Sequence, residues 1–194
     1  MTPWTEVGPG APVFDPRVRN FCAGPPRCPN YDASWACPPA APYLEREVRR
    51  CDRAFLVWYE FDLEAFAKRM GRAHPHWSER MKRNPRLYSG TLRKSLRIEV
   101  GRLLEELGVD SPRTDGVQVL WAGTCRACKV RGGGGCSYPR EPCRHPDRRQ
   151  YSMEAVGIDV DATCRAVGVH LQWPPQSKAY HVALVFTKGR DARS

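Results

Sequence analysis

Apolar residues recur between Gly90 and Leu107 at Leu92, Leu96, Val100, Leu103, Leu104 and Leu107. Steps of three and four gather them into one stripe of a helix, and Gly108 supplies its stop. A different pattern fills Ala54 to Phe61, where AFLVWYEF is apolar, aromatic and β-branched. That run predicts a buried strand. Gly116–Ala122, Val169–Trp173 and Tyr180–Thr187 predict three more strands, the last two joined by a Pro174-Pro175 turn. Tyr43–Cys51 reads as a short helix. Asp62 can cap another that begins at Leu63-Glu64 and runs toward Met70. Ser152 can cap a helical turn, and Asp159 or Asp161 a helix through Val167 closed by Gly168. Residues 71–89 are basic and broken by Pro75 and Pro85.

This order predicts an α+β fold: a small mixed four-strand sheet with helices mainly on one face. Residues 1–42 show no apolar period and are rich in proline and cysteine, so neither a regular helix nor a central strand is expected there. They are expected to form a loop segment packed on a single domain at 43–188, which carries a second cysteine-rich loop at 123–151. Residues 189–194 read as a disordered tail.

Length and composition narrow the class. The chain has 194 residues, short of the roughly 250 of a barrel enzyme. Hydrophobic residues make up 41% and charged residues 27%, which argues against wholesale disorder. No run approaches the 18 or so apolar residues of a membrane span, and no basic and apolar leader opens the sequence. A cytoplasmic location is expected. The net charge of +10 suits an acidic partner, nucleic acid or an anionic metal cluster.

Nine cysteines are the chemistry that stands out. An odd number cannot all pair within one chain, and a reducing compartment disfavours disulfides, so clustered thiols point to metal ligation. One cluster is Cys125-x2-Cys128-x7-Cys136-x6-Cys143, directly after a predicted strand. Its CxxC pair sets two sulfurs on one side of a tight loop, and the Gly132–Gly135 run lets backbone N–H groups turn inward. The other cluster is Cys22-x5-Cys28-x8-Cys37, with proline after both Cys28 and Cys37. Three thiols leave a fourth position for Cys51, His145 or a small exogenous ligand. Cys51 and Cys164 fall within predicted helices and read as small core residues. His170 and His181 read as hydrogen-bonded structural groups.

Zinc sites repeat short knuckles in two halves. One CxxC followed by gaps of seven and six suits an iron–sulfur cluster better, 4Fe-4S in type, because the cluster is larger than one ion. Electron transfer or support of a redox enzyme is the function this favours. The alternatives are a zinc-stabilised binding module and an enzyme with an open iron site. Arg126, Lys129, Arg131, Arg140, Arg144, Arg148 and Arg149 surround the second loop. They can offset thiolate charge or dock an acidic redox partner. Nucleic acid is disfavoured, because only Tyr138 and Tyr151 interleave with these cations in residues 124–151. No phosphate-binding glycine motif, HExxH or GxSxG is present.

Cys28-Pro-Asn-Tyr-Asp-Ala-Ser-Trp-Ala-Cys37-Pro-Pro resembles the "CPNY…W-CPP" signature of the DUF2284 family of predicted metal-binding proteins. Ala122-Gly-Thr-Cys-Arg-Ala-Cys128, Glu141-Pro-Cys-Arg-His-Pro146 and Ser152-Met-Glu-Ala-Val-Gly-Ile-Asp-Val160 resemble the same family. The resemblance implies metal binding, as iron–sulfur, by Cys22, Cys28, Cys37, Cys125, Cys128, Cys136 and Cys143. It brings no settled reaction. The Ser152-Met153-Glu154 segment has no evident ligand role and is read as a helix cap packed beneath the cluster loop.

Overall fold

A computed structural model describes residues 2–110, 116–129 and 135–187. Its centre is a four-stranded sheet of order β1-β2-β4-β3, with β1 at Trp4–Val7, β2 at Ala54–Asp62, β3 at Val117–Leu120 and β4 at Lys178–Thr187. The class is α+β with four strands, as the pattern predicts. All three strand pairings are antiparallel, so the expected mixed sheet is corrected. The parallel element among the described residues is a single bridge, Trp121 to Ser152, just past β3.

Two strand assignments differ from the pattern. β1 lies in the proline-rich segment and pairs Trp4 to Val57 and Val7 to Ala54 along the outer edge of β2. An edge needs only one row of ladder partners, so a proline neighbour is tolerated; the Pro3 carbonyl still accepts the Trp58 N–H at 2.9 Å. Val169–Trp173, expected as a strand, is irregular. There Gln172 Oε1 accepts the N–H groups of Ser177 and Lys178 at 3.2 and 3.1 Å and shapes the approach to β4. A side chain that occupies those N–H groups organises a turn rather than a ladder.

The helices are α1 (Glu45–Arg49), α2 (Leu63–Ala73), α3 (Glu79–Lys82), α4 (Pro85–Glu106) and α5 (Val160–Ala166). Asp62 Oδ1 caps α2 through the Ala65 N–H at 2.8 Å, and Asp159 Oδ1 caps α5 through the Ala162 N–H at 2.9 Å. α4 starts five residues before Gly90 because Pro85 takes the first helical position, where its missing N–H costs nothing, and Asn84 caps it.

Side-chain alternation divides the sheet into two faces. Phe55, Val57, Ala183 and Val185 pack against Leu96, Val100 and Leu103 of α4. Leu63 and Phe66 of α2 join Tyr88 and Leu92 of α4 over Ala179. The two longest helices thus share one face. Leu56, Leu184 and Phe186 look the other way, onto Val48 of α1, Cys164 of α5 and the segment holding Met153, Val156 and Ile158. This second face carries both cysteine loops. Among the described residues no helix is long and apolar enough to cross a membrane.

Candidate metal centre

The first loop is folded by its own backbone. Asp15 caps a 3-10 helix, Pro16–Cys22, which ends on the first thiol. The Cys28 N–H then donates to the Cys22 carbonyl at 3.0 Å, which joins the first two cysteines at the backbone. The Asp32 N–H donates to the Pro38 carbonyl at 2.8 Å and folds the rest of the loop back, so that Cys37 returns toward Cys28. Asp32 adopts φ +52°, which its short polar side chain tolerates.

The second loop is closed at its base. The Trp121 N–H donates to the Tyr151 carbonyl at 2.8 Å, so residues 30 apart in sequence meet there. Just inside, the Gln150 N–H points at Cys125 Sγ at 3.4 Å. Cys128 is half-buried in a turn closed by the Lys129 N–H on the Arg126 carbonyl at 3.0 Å. Gly132, Gly133, Gly134 and Arg131 lie outside the described residues.

The two loops interlock. The Trp35 indole N–H donates to the Glu141 carbonyl at 3.0 Å, and its ring stands edge-on to Tyr138 at 4.9 Å. The Tyr138 hydroxyl donates to Asp32 at 2.5 Å. Cys37 Sγ lies 3.8 Å from the Thr124 hydroxyl, next to Cys125 in sequence.

The thiols report on each other through their acidities. Burial raises the Cys22 pKa, and the neighbouring Cys28, Glu154 and Cys37 add to it. Burial also raises Cys37, with Cys28 and Cys125 adding and the Thr124 and Ser34 hydroxyls opposing. Tyr151 is pushed up by burial, with Arg149 opposing and Cys143 and Cys125 adding. Cys22, Cys28 and Cys37 thus perturb one another within the first loop, and Cys37 also feels Cys125 of the second. Cys136 behaves differently. Burial works to raise it, but the backbone N–H groups of Tyr138 and Trp35, the Ser34 hydroxyl and Arg144 outweigh that, and its thiol falls below the ordinary range. Inward N–H groups and a guanidinium favour thiolate, the form that binds metal. All nine cysteines are free. Among the described residues, no three histidine, cysteine or acidic side chains close on a single-ion site.

Cys51 and Cys164 are buried in the hydrophobic core, as the pattern predicts for both. Cys164 is fully enclosed, and burial pushes its thiol up to about 12. The Ser152 hydroxyl accepts the Ala155 N–H at 3.1 Å and Met153 is 1% exposed, so that segment caps and packs beneath the loops. It ends at Gly157, whose φ of +100° lets the chain turn under Tyr43.

These two interlocked cysteine loops fall inside the 6–187 stretch of the chain that matches the family model described as "Predicted metal-binding protein (DUF2284)". The chain belongs to the DUF2284 family. Metal binding is the property the family description supports for it, and soft thiolates such as those of the two loops suit zinc and iron–sulfur centres. No curated protein and no solved structure matches the chain.

One histidine of this DUF2284 chain escaped the pattern reading. His181 is expected to be hydrogen-bonded, yet its buried Nδ1 has no partner among the described residues. Burial first, and Arg93 second, lower its pKa to about 4. Alternation within β4 places it on the side of Ala179 and Ala183, toward α4, but no sequence signal marks it as unpartnered.

Proposed function

We propose that Cys22, Cys28, Cys37, Cys125, Cys128, Cys136 and Cys143 bind an iron–sulfur cluster, 4Fe-4S in type, in a cytoplasmic protein that carries electrons or supports a redox enzyme. The observation that carries this reading is the convergence of Cys37 on Thr124 and Cys125, which joins two loops some 90 residues apart in sequence. N–H groups aimed at Cys125 and Cys136 support it, because such donors stabilise thiolates and bridging sulfides.

An acidic protein partner fits the surface beside Cys125. Burial first lowers the Arg97 pKa, and the like charges of Arg126 and Arg93 add to it. Arg97 is held over the Trp121 ring at 4.6 Å and on Gln150 Oε1 at 3.1 Å. An acidic partner docked there would relieve the repulsion at the edge of the centre.

The test is anaerobic purification after expression with ample iron and sulfide. The protein is expected to be brown, to contain iron and acid-labile sulfide, and to lose its visible absorption with dithionite. A colourless protein with stoichiometric zinc refutes the iron–sulfur reading and leaves a zinc-stabilised module.

A further inference from the structure

β3 covers only part of its neighbour. It pairs with β4 from Leu184 to Thr187 and no further, because Trp121 turns away to bridge Ser152. The first half of β4 is left with an open edge. A cleft of about 480 Å³ occupies this place, with Ala179, Tyr180, His181 and Val182 forming one wall. That volume lies in the range that small organic ligands fill.

The cleft is mainly apolar. Tyr88 and Leu92 of α4, Val18 and Leu171 line it. Phe21 and Trp173 also line it and are 79% and 73% exposed, so two large aromatic rings stand at its mouth without cover. Exposed aromatics beside an apolar cavity mark a place where a ligand completes the packing.

Its polar groups decide the class of ligand. Among the described residues no lysine or arginine lines it. Three carboxyl groups do, and none offers a free charge. Asp159 caps α5, Asp161 pairs with Arg165 at 2.6 Å, and burial raises the Glu154 pKa, disfavouring its charged form, with its own N–H and the Ser152 hydroxyl opposing. The Tyr180 hydroxyl is spent on Glu60 at 2.6 Å. His181 is neutral at physiological pH; its Nδ1 is enclosed without a partner among the described residues, which leaves the other ring nitrogen to meet a ligand. A cation would shed its water here beside no free carboxylate, and an anion would find only Arg93, which acts on His181 but does not line the cleft. An uncharged one would lose little and could use the imidazole.

We propose that this cleft is a binding site for an uncharged organic molecule with a fused-ring or similarly bulky apolar body and one hydroxyl or carbonyl group directed to His181. The site lies beside the cysteine loops: Phe21 precedes Cys22, Gly123 of the opposite wall lies two residues before Cys125, and Glu154 neighbours Cys22. Its occupancy does not depend on which metal the cysteines hold.

Calorimetric titration of the full-length, metal-loaded chain tests it with 2-(2-naphthyl)ethanol, 2-(2-naphthyl)ethylamine, 2-naphthylacetate and 2-ethylnaphthalene. The alcohol is expected to bind at least tenfold more tightly than the amine, the acetate or the hydrocarbon. Ser89→Trp, which adds an indole to a half-buried lining position of α4, is expected to weaken alcohol binding at least tenfold. His181→Phe is expected to abolish the preference for alcohol over hydrocarbon. Equal binding of either ion or of the hydrocarbon, no binding of any probe, or unchanged binding in Ser89→Trp overturns the proposal. Iron, zinc and sulfide measured on the same samples keep a failure of the iron–sulfur reading separate from a failure of this one.

Discussion

Replacing Gly157 with alanine tests whether the Ser152–Gly157 turn fits its surroundings as tightly as the geometry requires. The glycine has φ +100°, and a Cβ built on it meets Tyr43 Cε2 at 2.0 Å and Cδ2 at 2.4 Å. Carbon atoms rest at about 3.5–4.0 Å, so the ring must move by more than an ångström. Two costs add. The positive φ costs an L-residue about 1–2 kcal/mol, and overpacking costs typically about 1–3 kcal/mol. Tyr43 cannot swing away freely, because its ring is edge-on to Phe14 at 5.6 Å. Gly157→Ala is therefore expected to destabilise the fold by about 2–5 kcal/mol. Tyr43→Ala should remove the clash and leave the backbone strain. The double variant should thus show a coupling of about 1–3 kcal/mol relative to the sum of the singles. The site matters to the metal loops because Gly157 O accepts the Asp15 N–H at 2.9 Å and Val156 O accepts the Leu44 N–H at 3.2 Å. Those bonds tie both flanks of the first loop to the turn. The assay is urea unfolding followed by far-ultraviolet circular dichroism, on samples of matched metal content. A Gly157→Ala variant within 0.5 kcal/mol or so of the parent, or additive singles, refutes the packing argument.

Three further outcomes are expected. His181 titrates at about 4 in the fold against 6.5 as its ordinary value, so the unfolded chain takes up the proton first. Its contribution is present above pH 6.5 and fades as pH falls toward 4, a loss of about 2 kcal/mol by pH 5. With Arg93 of α4 and Tyr59 of β2 facing it, His181→Phe should flatten that part of the pH profile, and equal pH 5 to pH 8 differences in parent and variant would refute it. Cys125→Ser and Cys128→Ser should each lose metal and render the second loop protease-sensitive, because a site's binding free energy is also folding free energy; Cys164→Ser should retain metal, and metal loss there with an intact fold would show a ligand where we place core. Asp159→Ala removes the cap of α5 and should cost about 0.5–2 kcal/mol in thermal or urea unfolding, with metal content unchanged.

Local signals were legible from sequence where the deciding interactions are local. The stripe from Leu92 to Leu107 and the Asp62 cap depend on neighbours within one helical turn, and both stand in the structure. Pro85 misled because the same ring that breaks a helix interior also suits its first position, and only the Asn84 cap distinguishes the two. β1 carries just four residues and exists through β2, which supplies its ladder, and through Arg53, whose guanidinium grips Glu6 at 2.8 Å. Val169–Trp173 has the alternation of a strand, yet Gln172 captures the N–H groups that begin β4 and leaves Trp173 exposed. The candidate ligands were readable one by one, since thiol clusters and a CxxC are properties of residue type and spacing. Their convergence was not. Trp35 on Glu141 and Tyr138 on Asp32 each join residues 106 positions apart. The cleft is the extreme case: its walls come from the first loop, α4, the chain after β3, the start of α5 and β4. Spacing along a chain encodes nothing about surfaces that meet only when a short strand ends early and its neighbour's edge stays open.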